Sequence, residues 1–474
     1  MAVFELSAGI NANNVFLVNH SELEGRLDID YYRPKINALE KRIRQKTTKK
    51  LKNFIVKIAS GATPSVQEET KFYSTKENGI PFLRVQNLNV SGELSLEDVK
   101  FINVETHNND LKRSQVSKHD LLVKITGVGR MAIASVAPND FDGNTNQHMV
   151  VIKTAGEEAS RYLANYLNLD IIEALATRRS TGATRPALDY QALKSIPVIE
   201  NIDFSLLKQA EAQKQQKEQQ AQALLNSIDG YLLNALGITL PQQDNRLEKR
   251  MFTVPLREVT GGRLDPDYNL KYDLLFSQKG IYRFVKLKEL LLETPQYGAN
   301  EEGKERKSDL DVRYIRITDT DELGNLKNND WKTAQTIEKQ YLLKQNDILF
   351  ARSGSVGRCY IHKEIERPAI FAGYLIRFKI NEEKLNPDFL FYYCNSIFYK
   401  LWVSAIERPA VQSNINAEEY KALPIPLPPL TKQTEIATHI SQIRAQAKQL
   451  MHEAAEVLAT SKSEIERMIL GESA

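Results

Sequence analysis

Two stretches combine residue types that could do chemistry. Residues 347–358 read DILFARSGSVGR, and residues 120–130 read DLLVKITGVGR. Each starts at an aspartate, runs through an apolar strand past a cation (Lys124, Arg352) and ends in Gly-Arg (Arg130, Arg358). Two readings of such a loop are open. In one it is a β-turn: glycine supplies positive φ, and serine or threonine satisfies local backbone groups. In the other, backbone N–H groups and the hydroxyls of Thr126, Ser353 and Ser355 meet phosphates, with Lys124, Arg130, Arg352 and Arg358 adding charge. One loop alone does not choose. Asp120 and Asp347 lie 227 positions apart, and a chain that repeats such a loop is expected to contact its target twice.

Other residues could read a nucleic acid. Arg178, Arg179 and Arg185 stand among Thr181, Gly182 and Thr184. The serine, threonine and glycine disfavour a helix, so the three arginines are expected on a flexible loop. Their counterparts, Arg408, Gln412, Ser413 and Asn414, form a less basic stretch. Arg84, Gln86 and Asn87 follow one β-like run, and Arg316, Thr318 and Asp319 follow another. Arginine, glutamine and asparagine can form paired hydrogen bonds to base edges in the major groove. Features common to both stretches are expected to hold the domain together. Those that differ are the better candidates for sequence readout.

Several chemistries are missing. The nearest approach to a nucleotide-binding P-loop is GANEEGKE (298–305), where Glu305 replaces the hydroxyl that would ligate magnesium. NPDF (386–389) and DPDY (265–268) lack the second proline of an amino-methyltransferase tetrapeptide. There is no Gly-x-Ser-x-Gly, no His-Glu-x-x-His, and the seven histidines do not cluster. Cys359 and Cys394 lack metal-ligand spacing, which fits a reducing, cytoplasmic setting without metal. No apolar run approaches the roughly 20 residues that cross a bilayer. The net charge of +3, from 63 Lys and Arg against 60 Asp and Glu, leaves any basic surface to local arrangement. The chain is expected to catalyse nothing itself.

The elements that would position these residues also occur twice. RLDIDYY (26–32) and RLDPDYN (263–269) open the two copies. IPFLRVQNL (80–88) and VRYIRITDT (312–320) follow, then the glycine loops, then HMVVIK (148–153) and YLIRFKI (374–380). Helix-like runs and basic, proline-marked stretches come next, with Pro197 and Pro424 again 227 apart. Each copy ends in a long helix. In the second, about 430–470, Ile436, Ile440, Ile443, Ala447, Leu450, Ala454 and Val457 form the a/d seam of a coiled coil. The first, about 201–236, would span roughly 50 Å at 1.5 Å per residue. The expected class is α+β. Two mixed α/β domains (1–200 and 238–429) alternate with two helices (201–237 and 430–474), which pair as an antiparallel coiled coil with pseudo-two-fold symmetry.

This layout resembles the specificity subunits of type I restriction–modification systems. The matching blocks are RLDIDYY/RLDPDYN, FLRVQNL/YIRITDT, DLLVKITGVGR/DILFARSGSVGR and ALKSIPV/YKALPIPLPPLTKQTEI, with LPIPLPPLTKQTEIATHI (423–440) the most specific. The first copy departs in IPVIENIDFSLL (196–207), which lacks the double proline and the Lys-Gln. The resemblance implies two target-recognition domains, each reading one part of a split, asymmetric site in double-stranded DNA. It implies helices that fix the unread spacer and dock two methyltransferase (modification) subunits, with a restriction/translocase subunit joining them. Ile436, Ile440, Ile443, Leu450 and Val457 are then the candidate partner-binding residues. S-adenosylmethionine, ATP and magnesium would belong to the partners, and this chain would carry no cofactor.

Overall fold

A computed structural model of the chain describes residues 11, 15–23, 26–182, 184–240, 253, 268–269, 280–327, 329–364, 366–406 and 413–472. The expected α+β class is borne out, with two compact units and two long helices. One unit comprises Met1–Gln216 with Glu453–Ala474, the other Lys217–His452.

In the first unit the helices are α1 (Pro34–Lys46), α2 (Glu69–Phe72), α3 (Glu157–Leu167), α4 (Asp170–Arg179) and α5 (Tyr190–Lys194). The strands are β1 (Lys57–Ser60), β2 (Ile80–Leu83), β3 (Lys100–Ile102), β4 (Gln115–Ser117), β5 (Leu121–Lys124), β6 (Ala134–Val136), β7 (Asp142–Thr145) and β8 (Met149–Lys153). One sheet has the antiparallel order β1-β8-β5-β6. The other has the order β3-β2-β7-β4, with β2 and β7 parallel. Strand β5 is apolar from Leu121 to Val123 because both of its faces are covered. Leu121 and Val123 join the core under the helices, while Leu122 joins the core shared with the second sheet. Neighbouring β8 alternates in the same way, Val150 and Ile152 to one side, Met149 and Val151 to the other.

The long helix α6 (Ser205–Leu236) begins in this unit. The second unit then holds β9 (Phe284–Lys286), β10 (Gln296–Tyr297), β11 (Gly303–Glu305), β12 (Arg313–Ile315) and β13 (Lys332–Ala334). Next come β14 (Ile348–Ala351), β15 (Cys359–Ile361), β16 (Ala369–Phe371) and β17 (Leu375–Phe378). The chain continues through α7 (Pro387–Tyr393), α8 (Ile397–Ile406), α9 (Ala417–Lys421), β18 (Pro424–Pro426) and the long α10 (Leu430–Leu470). The sheet order β10-β17-β14-β15 repeats that of the first unit, and β13-β12-β16 repeats β3-β2-β7, down to the parallel pair. Helices α5 and α9 are offset by 227 residues at both ends. Each is capped by an acidic or amide side chain, Asp189 accepting from Ala192 N and Asn416 from Glu419 N.

Both long helices contribute to each core. In the first unit Leu207 of α6 shares a core with Ile465 and Ile469 of α10. Glu466 of α10 caps α4 by accepting from the N–H groups of Asp170 and Ile171. In the second unit Leu232, Leu233 and Leu236 share a core with Ile436 and Ile440, and Tyr231 packs on His439 with ring centroids 4.2 Å apart. Within each unit the partner recedes along α10 as α6 advances, from Ile465 and Ile469 at Leu207 to Lys462 at Glu211 in the first unit, so the segments run antiparallel. The half-buried Ile443, Leu450 and Val457 alternate with the buried Ala447 and Ala454 along the same apolar stripe. Two of the expected partner-binding residues need correction: Ile436 and Ile440 have no exposed surface and belong to the unit's own core.

Candidate nucleic-acid interface

The glycine loop of the first unit leaves β5 at one end of its sheet. Gly127 (φ 117°) and Gly129 (φ 81°) take conformations that favour glycine. Lys124 is 4% exposed and donates from Nζ to the carbonyl of Val128 at 2.8 Å, tying the loop to its own strand. Burial pushes its pKa down, the opposite of a solvated phosphate clamp. Arg130 donates to the carbonyl of Asn168 at 2.6 Å and ion-pairs with Asp170, which anchors the far end of the loop. Neither cation is presented as expected, because Lys124 closes the loop on itself and Arg130 ties it to the junction of α3 and α4.

The second loop is built differently to the same end. Gly357 (φ 83°) lies where a Cβ would come within 2.8 Å of Val403, while Gly354 (φ 77°) faces open space. The buried hydroxyl of Tyr420 donates to the carbonyl of Ala351 at 2.6 Å and accepts from the N–H of Gly357 at 3.1 Å. Arg358 turns inward, donating to the carbonyl of Thr320 at 3.0 Å. Ser353 is buried and bridges to Asn414. Arg352 and Ser355 are left at the surface side of the loop, and the Arg352 guanidinium lies 5.0 Å from the ring centre of Tyr297.

The basic stretch after α4 requires the largest correction. Arg178 and Arg179 are the last residues of a helix, only 8% and 4% exposed. Arg178 donates to Glu40 at 2.6 Å and to Asn37 at 2.7 Å. Arg179 donates to Glu40, to Ser195 at 2.9 Å and to the carbonyl of Leu175 at 2.9 Å. Burial would raise the Glu40 pKa, but the arginines outweigh it and hold the carboxyl below the usual glutamate range. Tyr31 of the repeated RLDIDYY block lies between Arg26 and Arg178, at 4.5 and 4.2 Å. Arg26 also donates to the carbonyls of Arg179 and Ser180. The block is thus a clasp around the end of α4.

The pair after the β-like runs is structural as well. Asn87 is buried, accepts from Arg84 N and donates to the carbonyls of Ser95 and Glu97. Asp319 plays the same part for Arg316 N and also takes two bonds from the Arg316 guanidinium. Arg84 is drawn to Asp98, and the exposed Gln86 donates to the same carboxylate at 2.6 Å. Thr318 is exposed. Arg408 and Gln412 lie outside the described residues.

Arg185 in the first unit, and Arg352 with Ser355 in the second, remain at the surface beside the glycine loop. In the first unit Thr126 bridges to Ala187, and Gly127 N donates to the carbonyl of Pro186 at 3.0 Å, so the loop abuts the strip that carries Arg185. Arg185 is exposed and donates to Nε2 of His148 at 3.1 Å. Burial and the Arg185 charge push the His148 pKa down, which keeps the ring neutral and able to accept. In the second unit Ile415 N donates to the carbonyl of Arg352 at 2.9 Å, joining loop and strip in the same way. Tyr374 is exposed and accepts from Arg352 N through its carbonyl. His148 and Tyr374 each immediately precede the strand beside the loop, β8 and β17. Sequence reasoning missed both, although HMVVIK and YLI had been matched as repeats. Such a patch offers guanidinium donors, hydroxyls and aromatic edges, suited to phosphates and base edges.

Residues 282–459 match the family described as the type I restriction modification DNA specificity domain. A type I restriction enzyme specificity subunit of Salmonella potsdam, StySPI, is 28% identical over 144 residues, covering 29% of this chain and 31% of that protein. The MjaVIII specificity subunit of Methanocaldococcus jannaschii is 30% identical over 124 residues, covering 24% of this chain and 29% of that protein. The chain thus spans about three-tenths of the length of the curated relatives it matches. A chain from a solved type I restriction–modification assembly aligns over 89% of this chain and 95% of its own length, with 16% identity and a TM-score of 0.43. The resemblance read from the repeated blocks is borne out by the family match and the two specificity subunits.

Proposed function

We propose that this chain, with its match to a type I restriction modification DNA specificity domain, recognises a split DNA site on behalf of catalytic partners. The observation that carries the reading is the repetition of one binding architecture. Each unit has the same four-strand antiparallel order, and each presents a glycine loop and an adjoining strip at the same strand end. The two faces carry different side chains: Thr126, His148 and Arg185 in one, Tyr297, Arg352 and Ser355 in the other. Different side chains on a common scaffold suit two half-sites of different sequence. Among the described residues no group of His, Cys, Asp and Glu could hold a metal ion, and no helix is long and apolar enough to cross a membrane.

In this reading Arg185 and Arg352 contact bases or phosphates, while Lys124, Arg130 and Arg358 shape the loops. The two long helices set the spacer and dock two methyltransferase subunits. A restriction/translocase subunit joins the assembly, and S-adenosylmethionine, ATP and magnesium act on those partners. Flipping a target adenine from the stack would be the methyltransferase's task. The test is co-expression with the methyltransferase subunit from the same source in a host without DNA methylation, followed by genome-wide mapping of modified adenines. A two-part motif with a fixed gap is expected. A soluble, assembled pair that leaves the genome unmodified overturns the reading.

A further inference from the structure

A second concentration of positive charge lies in the first unit, at the other end of its central sheet. Strand alternation turns residues i and i+2 to one face. Lys57 and Ala59 of β1, together with Val151 and Lys153 of β8, form one wall of a crevice. Gln115 and Ser117 of β4, on the facing sheet, form the other. Lys112 and Arg113, on the turn that leads into β4, close a cavity of about 100 Å³. The crevice meets β8 at Val151 and Lys153, three and five positions from His148, about 10 and 16 Å at 3.3 Å per residue, and on the opposite face of the strand. It is therefore not part of the glycine-loop face.

The lining holds four cations and no carboxylate. Lys57 and Lys153 stand directly opposite in the β1–β8 register, an arrangement that destabilises a sheet when the charges are alike. Asp120 relieves Lys153 alone, through an ion pair. Arg113 has one long bond, 3.5 Å, to the carbonyl of Gly61. Asp142, across from Ser117 on β7, turns to His107. Among the described residues, Lys57 and Lys112 have no carboxylate partner. The second unit serves as an internal control. There Lys379, one residue beyond β17, finds Glu293 at 2.6 Å, and Arg377 is held by Asp347 and Gln296. The fold neutralises this end of the sheet in one copy and leaves it charged in the other.

We propose that the crevice formed by Lys57, Lys112, Arg113 and Lys153 binds a phosphate group. The cations converge from three segments, and Ser117 and Gln115 add neutral hydrogen-bonding groups, a set suited to a phosphate. That chemistry can come from a nucleic-acid backbone or from free phosphate. The backbone source rests on the DNA-binding reading, whereas the site itself does not.

The experiment compares the full-length chain with Lys57→Gln/Lys112→Gln and with Lys57→Arg/Lys112→Arg. One arm measures affinity for a random-sequence duplex against sodium chloride concentration. Each lost backbone contact lowers the salt slope by about 0.9, so a backbone site predicts a shallower slope in the glutamine variant and recovery in the arginine variant. The second arm measures melting in inorganic phosphate against chloride at matched ionic strength. A free-phosphate site predicts stabilisation of wild type that the glutamine variant lacks. The proposal is overturned if the folded glutamine variant matches wild type in both arms, or if wild type responds in neither. Wild type that ignores DNA but responds to phosphate overturns the DNA-binding reading and leaves the site standing. If the double variant does not fold, Arg113→Gln alone carries the same two comparisons.

Discussion

Replacing Glu40 with glutamine separates two roles for Arg178 and Arg179. The carboxylate is 5% exposed and takes bonds from Arg178, Arg179 and Arg44. Removing one partner of a buried ion pair costs about 3–5 kcal/mol, because the remaining charge stays desolvated. Glutamine keeps the shape and one acceptor oxygen, so the lower end, about 3 kcal/mol, applies. For a unit of this size each kcal/mol moves the melting point by about 2–4 °C, which gives a drop of about 6–12 °C. The loss should fall on the first unit alone. Hydrogen exchange of peptides covering β5 and β8 reads it, with β14 and β17 as the internal reference. The pH dependence has a fixed sign. The Glu40 pKa is depressed on folding, so its contribution is present above about pH 4.3, the unfolded value, and is lost as pH falls through the lower folded value. Glu40→Gln removes that acid sensitivity. If Glu40→Gln exchanges and melts like wild type, the arginines are not held by Glu40, and their expected role as free cations for DNA returns.

Arg185→Ala should leave melting unchanged and weaken duplex binding by about 1–3 kcal/mol, read by fluorescence anisotropy; unchanged affinity removes Arg185 from the interface. Tyr420→Phe removes the buried hydroxyl that bonds both Ala351 and Gly357, leaving only the 3.2 Å bond between them, and should cost the second unit about 0.5–1.5 kcal/mol. Limited proteolysis within residues 353–357 would then speed up, and equal cleavage would refute the role of the hydroxyl. Ile465→Ala, at a site 1% exposed, should destabilise the first unit by about 2–5 kcal/mol; calorimetry showing no change would place the end of α10 outside that core. Removing one heptad from α10 between Ala447 and Ala454 shortens it by about 10 Å. That is about three base pairs at roughly 34 Å per turn. The gap in the mapped DNA motif should change or recognition should fail, and an unchanged gap refutes the spacer role.

Much of the fold was legible because its signals are local. The runs LLV and ILF are short, apolar and bounded by aspartate and glycine, and they became the central strands β5 and β14. The 227-residue repeat carried the rest, since order and spacing survive where single residues do not. The rule that shared features hold the domain together also served well: Asn87 and Asp319 occupy matching positions and make matching caps. The site was read less well because side-chain availability is set at long range. Arg178 meets a carboxylate 138 positions away and Arg130 one 40 positions away. No window around either residue reveals its partner. His148 was overlooked because a residue that opens an apolar strand reads as part of the strand, although its ring lies beside Arg185.

The way the first core is completed bears on how the chain is made. Its sheets and short helices are finished by Lys194, yet Ile465 and Ile469 fill the same core. Synthesis proceeds at about 5–20 residues per second, so roughly 14–55 s pass between those points. Throughout that interval the apolar groove that receives α10 stays open, at Leu207 among other residues. The first unit to emerge is therefore held unfinished while the second is translated, and the final helix seals it. Slowing translation between residues 200 and 460 should lengthen the period in which the nascent chain binds chaperones.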